Sequence, residues 1–239
     1  MAIYTISDLH LSLSTDKPMD VFGGKWNNYT QKIKDNWNRV VSENDTVLIG
    51  GDISWAMRLE ECVADFEFIN SLSGNKIIFK GNHDYWWCGI GKMNEFIRSN
   101  GFDTIHIVHN DALVVEDALI CGTRGWILPS DDSFSETDRR IYEREILRLE
   151  MSLCYGEKLI REKKEQINRI ICVLHYPPFL KNKMPDSNIA EILARHNVTE
   201  CIYGHLHAQA LRNAFEGERG GITYILASAD YLEFCPCPV

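Results

Sequence analysis

Short apolar runs punctuate the first hundred residues and alternate with longer stretches of helical periodicity. Ile3 to Ile6, Val47 to Ile49 and Ile77 to Phe79 are too short for helices and read as strands. Between them, Asn28 to Val41, Leu59 to Leu72 and Gly91 to Ile97 space their apolar residues as helices do. Strand–helix alternation of this kind predicts a largely parallel sheet. After Gly101 the rhythm changes. Thr104 to Val108, Ala112 to Val115 and Leu119 to Cys121 are short and closely spaced, with Asn110-Asp111 and Glu116-Asp117 as expected tight turns. They predict a meander in a second, more antiparallel sheet.

From Ser135 to Asn168 the chain is charged and rich in helix formers. Tyr142, Ile146, Leu149 and Leu153 fall on one helical face, and Gly156 is expected to mark a bend before a second helix. The outer face reads as solvated. The last third returns to strands at Ile170 to Leu174, Glu200 to Tyr203, Ala208 to Arg212 and Ile222 to Leu226, with a helix near Ser187 to His196. The sequence holds no linker, repeat or low-complexity tract, so a single domain over residues 1–239 is expected, with a helical excursion at about 135–168.

Composition narrows the class. The chain has 239 residues, 45% hydrophobic and 25% charged, which suits a soluble globular protein with one substantial core. No apolar stretch is long enough to span a membrane. Met1-Ala2-Ile3-Tyr4 opens a strand without a basic region or cleavage signal, so a cytoplasmic location is expected. A formal net charge of -9 argues against nucleic acid as partner. It leaves a small phosphorylated substrate open, because bound divalent ions reverse the local field. The oligomeric state is left open too. Among eight cysteines, Cys121, Cys172 and Cys201 lie in strand-like contexts and read as reduced, buried thiols. Cys235-Pro236-Cys237 has a spacing suited to metal binding or oxidation, but a lone Cys-x-Cys is a weak signal.

The chemistry lies where the apolar runs end. Ser7-Asp8-Leu9-His10, Gly50-Gly51-Asp52, Gly81-Asn82-His83-Asp84, Leu174-His175 and Gly204-His205-Leu206-His207 each follow or close a strand candidate. Asp8, His10, Asp52, Asn82, His175, His205 and His207 are seven potential metal ligands, and residues so scattered meet only if the strands lie side by side. Mixed oxygen and nitrogen donors suit Mn, Fe, Zn or Co better than Mg or Ca. Asp52 has two oxygens and can bridge two ions, and paired cations about 3.5–4 Å apart are a device of phosphoryl transfer. His83, beside the ligand candidate Asn82 and next to the carboxylate of Asp84, is placed to protonate a leaving oxygen. Each piece alone is weak; their joint order carries the reading. His106, His109 and His196 fall outside it and read as loop or surface residues.

These five segments resemble the signature of the calcineurin-like metallophosphoesterase superfamily, from Asp8 to His207. The resemblance implies an α/β fold, a four-layer α/β/β/α sandwich of two mixed β-sheets flanked by helices, with a binuclear metal centre. It implies one ion on Asp8, His10, Asp52 and His207 and a second on Asp52, Asn82, His175 and His205, two divalent ions with Mn preferred over Fe, Zn or Co. It further implies attack on phosphorus by a metal-bridging hydroxide, with His83 as general acid. Ser7 to Leu11 and Gly81 to Asp84 are similar to bacterial phosphohydrolases that cleave cyclic nucleotides and nucleotide-lipids. Where protein phosphatases carry Asp-Arg-Gly, this chain continues Ile53-Ser54-Trp55-Ala56-Met57-Arg58, so protein phosphatase activity is less favoured.

The expected function is therefore metal-dependent hydrolysis of a small phosphorylated molecule, a phosphodiester ahead of a phosphomonoester such as a nucleotide or phosphoprotein. A nuclease, or a non-catalytic scaffold on the same fold, is the remaining alternative. Trp55, Trp86 and Trp87 follow ligand loops and read as base-stacking or packing residues. Arg124, between small residues, reads as a phosphate partner or a structural ion pair. Trp126 and Tyr176, the latter stiffened by Pro177-Pro178, are further substrate-binding candidates.

Overall fold

The computed structural model describes residues 1–163, 166–181 and 187–239. Its strands in chain order are β1 (Ile3–Ile6), β2 (Thr46–Ile49), β3 (Asn75–Ile78), β4 (Ile105–Ile107), β5 (Leu113–Val115) and β6 (Ala118–Thr123). There follow β7 (Arg169–Leu174), β8 (Glu200–Tyr203), β9 (Gly217–Arg219), β10 (Ile222–Leu226) and β11 (Cys237–Pro238). The helices are α1 (Tyr29–Val40), α2 (Val63–Ser71), α3 (Ile90–Ser99), α4 (Glu136–Lys163) and α5 (Asn188–Arg195). The fold is α/β, with two mixed sheets flanked by helices. Contacts divide the chain into two compact units, Met1–Ile107 with Ala227–Val239, and Val108–Leu226.

The first unit holds a sheet of order β11-β1-β2-β3-β4. Strands β1 to β4 are parallel and paired in register, Ile6 against Ile49 and Ile49 against Ile78, so their carboxyl ends share one edge. β11 pairs antiparallel to β1. Tyr29, Ile33 and Trp37 recur every four residues along α1 and form its buried stripe. The Trp37 indole N–H donates to the Ser73 carbonyl, which satisfies the one polar atom of a fully buried ring. Phe66 of α2 meets Trp86, Phe96 and Phe102 at centroid distances of 5.3–5.9 Å. Lys76 on β3 is buried, and its ammonium donates to the carbonyls of Leu72 (2.6 Å) and Gly74 (2.8 Å) just past α2. It supplies the orphan carbonyls at that helix end with a cation.

The second unit holds a sheet of order β5-β6-β7-β8-β10-β9. Its four inner strands are parallel, and each edge is an antiparallel hairpin arm. Left-handed Glu116 (φ 55°) turns β5 into β6, as the Glu116-Asp117 signal predicts. Cys121, Cys172 and Cys201 lie in register on three adjacent strands and are fully buried, as expected from sequence. Burial pushes the Cys201 thiol up, and a hydrogen bond with Cys121 together with burial does the same for Cys172.

Three expectations are corrected. Ile105–Ile107 does not begin the meander: after α3 it returns to the first sheet, parallel to β3, because a helical crossover delivers a strand in that sense. Asn110-Asp111 instead lies just inside the second unit, which begins at Val108. Gly156 does not bend the chain: α4 is continuous from Glu136 to Lys163, and a Cβ at Gly156 would come within 2.5 Å of the Leu119 side chain. The glycine permits close packing on β6. Ala208 to Arg212 is a 3-10 turn, Ala208–Asn213, since the chain leaves His207 through a left-handed Ala208 (φ 47°). Among the described residues no helix is long and apolar enough to cross a membrane.

Candidate active site

In the first unit the loops after β1 and β2 continue to pair beyond the strands. The N–H groups of Asp8, His10 and Leu11 donate to the carbonyls of Gly51, Asp52 and Ile53, each at 2.9 Å. Asp8 (φ 60°), His10 (φ 46°) and Asp52 (φ 51°) all adopt the left-handed region, which is uncommon outside glycine and concentrates at functional positions. The twist brings their side chains together. A ligand atom of Asp8 lies within 4.8 Å of one on His10 and of one on Asp52. His10 Nε2 is 3.8 Å from Asp52 Oδ2. All three residues are buried. Two carboxylates and an imidazole converging out of water are costly unless a cation joins them, and this mixed donor set fits a divalent transition ion.

The third ligand loop is clamped to the second. Gly51 and Gly81 meet backbone to backbone: a Cβ at Gly81 would lie 2.1 Å from the Asp52 nitrogen. Asp84 closes the clamp. Its Oδ2 accepts from the N–H of Asp52 (2.9 Å) and Gly81 (2.7 Å), and its Oδ1 from Ile53 (2.8 Å) and the Trp86 indole (3.1 Å). The N–H of His83 donates to Asp52 Oδ1 at 2.7 Å. A second buried carboxylate, Asp65 on α2, accepts from the N–H of Leu13 at 2.8 Å and from the Ser54 hydroxyl. It thereby ties the loop after β1 to the loop after β2, and burial raises its pKa above the usual carboxylate range. The Tyr29 hydroxyl holds the His10 carbonyl at 2.7 Å.

Aromatic rings wall this half of the site. Trp55 stacks on His10 (4.9 Å, 21°) and leans on His83 (4.6 Å), and Lys17 lies 5.2 Å from its ring centre. Trp86 is core, packed on Phe66. Asn82 and His83 are half-buried beside Asp84.

The second unit carries His175, His205 and His207. His175 directly follows β7 and is buried, and its N–H and that of Tyr176 both donate to the Arg124 carbonyl. His205 is left-handed (φ 69°), its ring 5.1 Å from His175 and 4.0 Å from Tyr176. His207 is half-buried and leads into the 3-10 turn. Imidazole is a nitrogen donor suited to divalent transition ions. Arg124 is engaged by protein: Nη2 reaches Glu145 Oε1 at 3.0 Å, and the guanidinium lies 4.4 Å from the Trp126 ring centre. Glu145 also accepts from Thr123 Oγ1 (2.8 Å) and Arg148 (2.7 Å). Trp126 donates its indole N–H to Asp138 at 3.0 Å and meets Tyr176 at 5.1 Å. His196, expected at the surface, is instead nearly buried at the end of α5, with Nδ1 2.7 Å from Glu157.

Sequence reasoning missed Asp65, Ser54, Tyr29, Glu145 and Asp138. Two of them left a signal. Asp65 lies between the buried Cys62 and Ile69, and Glu145 between the buried Tyr142 and Leu149, so each is a carboxylate within an apolar helical stripe.

Residues 1–209 match the sequence profile described as calcineurin-like phosphoesterase, a span that contains all seven ligand candidates. No curated protein gives a match. Among solved structures, a protein of unknown function from Aquifex aeolicus is similar at 17% identity and a TM-score of 0.53, covering 99% of this chain and 95% of that one. Phosphopantetheinyl hydrolase from Mycobacterium tuberculosis is similar at 12% identity and 0.55, covering 100% and 95%. The protein TT1561 of Thermus thermophilus is similar at 13% and 0.55, covering 94% and 87%. At these identities the likeness is one of fold.

Proposed function

Because the chain belongs to the calcineurin-like phosphoesterase family, whose chemistry is metal-dependent phosphoester hydrolysis, we propose that it cleaves a small phosphodiester at a two-ion centre. Following the family pattern, Asp8, His10, Asp52 and His207 would hold one ion and Asp52, Asn82, His175 and His205 would hold the other. Bound divalent ions supply positive charge for the phosphoryl oxygens and an activated water. The remaining work falls to side chains. Asp84 and Asp65 hold the ligand loops from behind. Trp55 fixes the imidazole of His83, which donates a proton to the departing alkoxide oxygen.

The observation that carries this reading is the convergence of Asp8, His10 and Asp52, with His83 tied to Asp52 through its backbone N–H. The diester preference follows the likeness of Ser7 to Leu11 and Gly81 to Asp84 to bacterial phosphohydrolases that cleave cyclic nucleotides and nucleotide-lipids. Mn is the preferred ion. The test compares bis-p-nitrophenyl phosphate with p-nitrophenyl phosphate on Mn-loaded protein. Faster diester cleavage is expected, and His83→Ala lowers kcat about 10²–10⁴-fold at unchanged metal content. Parallel loss of metal and turnover would remove the leaving-group role.

A further inference from the structure

Beside His205 the second unit opens a cleft of about 220 Å³, lined by Trp126, Leu128, Asp131, Tyr176, Leu206 and Asn213 among others. We propose that this cleft seats the alcohol portion of the substrate, and that the group it accepts is a flat, uncharged heteroaromatic ring bearing an amino group. The proposal rests on the phosphoesterase reading, since Tyr176 packs at 4.0 Å on His205, a ligand candidate of that centre.

Size sets the first limit. The cleft is smaller than the roughly 300–1,000 Å³ of sites for drug-sized ligands, a size that suits a single ring system. Wall chemistry sets the second. Trp126 and Tyr176 stand 5.1 Å apart at 51°, and Leu128 and Leu206 complete an apolar surface suited to a planar ring. Charge sets the third. Asp131 places a carboxylate on the lining, where it repels a second phosphate and attracts an amino N–H, and Asn213 adds an amide. Asp131 is oriented by the N–H (2.9 Å) and hydroxyl (2.7 Å) of Ser133, both donating to Oδ1.

The wall is also rigid. Trp126 is pinned at its edge by Asp138, whose carboxyl is held below the usual range by hydrogen bonds from Ser135 and Trp126. Arg124 lies on its ring and is itself fixed by Glu145. This chain of contacts gives Arg124 a task other than binding phosphate: it holds an aromatic surface in place before a ligand arrives, which lowers the ordering cost of binding.

Two measurements on the full chain test the proposal. In metal-free, ¹⁵N-labelled protein, adenosine is added while the Trp126 indole N–H signal is followed, with ribose as the ringless comparison. Adenosine is expected to shift the signal and ribose to leave it in place. In Mn-loaded protein, kcat/KM is compared for matched adenosine, inosine and ribose esters, as monoesters and diesters. The adenosine ester is expected to exceed the ribose ester at least tenfold. Trp126→Leu should cut that ratio at least tenfold, and Asp131→Asn should lower the adenosine-to-inosine ratio. Asp131 is a lining side chain, so its variant serves if the indole replacement fails to fold. A signal shift with no ester cleaved would keep the ring site and remove the phosphoesterase reading. Cleavage with neither shift nor ring preference would keep the phosphoesterase and overturn the cleft.

Discussion

Asp84 Oδ2 accepts the backbone N–H of Asp52 at 2.9 Å, so the carboxylate offered as shared ligand is aimed by a second carboxylate behind it. The same oxygen takes the Gly81 N–H, and its twin takes Ile53. One buried anion thus sets the relative position of two ligand loops by charge-assisted hydrogen bonds.

Asp84→Asn replaces one acceptor oxygen with an NH₂ that faces N–H donors. Mn affinity is expected to fall about 10–100-fold, the range typical for groups that orient ligands. Stability should drop by about 3 kcal/mol as buried donors lose a charged acceptor. Titration calorimetry with Mn and urea unfolding check the two effects. Wild-type affinity in the variant would show that Asp84 does not aim the loop.

Gly81→Ala places a methyl 2.1 Å from the Asp52 backbone, where no flexible atom can yield. A loss of about 3 kcal/mol or more is expected, with metal affinity lost as the loops part. A Cβ at Gly89 would meet no atom within 4 Å, so Gly89→Ala serves as the comparison and should cost far less. Equal melting temperatures for the two variants would contradict the close approach.

Lys76 gives a pH signature. Burial lowers its pKa from 10.5 to about 8. Between these values the unfolded chain binds more protons than the folded one, so this group's contribution to unfolding free energy rises with pH across that window. Urea unfolding at pH 7.5 and pH 10 should therefore show wild type gaining on Lys76→Met as pH rises. A constant difference would mean that the folded lysine titrates normally.

Metal should stabilise as well as activate. Asp8 and Asp52 lie buried within 4.8 Å of each other, a repulsion that a cation relieves. Chelated protein is expected to melt lower, and Mn at about 100 times its Kd should restore about 2.7 kcal/mol. In Asp52→Asn the metal-dependent gain should largely vanish. Differential scanning calorimetry with and without Mn reads both.

Sequence alone located β1, β2, β3, β7, β8 and β10 because each contains a short apolar run, and it placed the seven ligand candidates at strand ends because polar turns there have no core role. It misplaced Ile105–Ile107, since a short apolar strand carries no mark of the sheet it joins. It read Gly156 as a bend because a glycine packed under Leu119 looks the same in sequence as one that turns the chain. Asp84 was legible as important, whereas its engagement with Asp52, Ile53 and Gly81 depends on how separate loops meet in space. The same holds for Arg124, whose partner Glu145 lies on α4.

The antiparallel pairing of β11 with β1 bears on synthesis. Residues Ala227–Val239 complete a unit whose other part ends at Ile107, and the ribosome delivers them after the whole of Val108–Leu226. Until then β1 exposes one row of unpaired amides and carbonyls, the kind of edge that templates aggregation. Nascent chains halted before Ala227 should accordingly be the aggregation-prone species, and holdase chaperones should bind them in preference to the released protein.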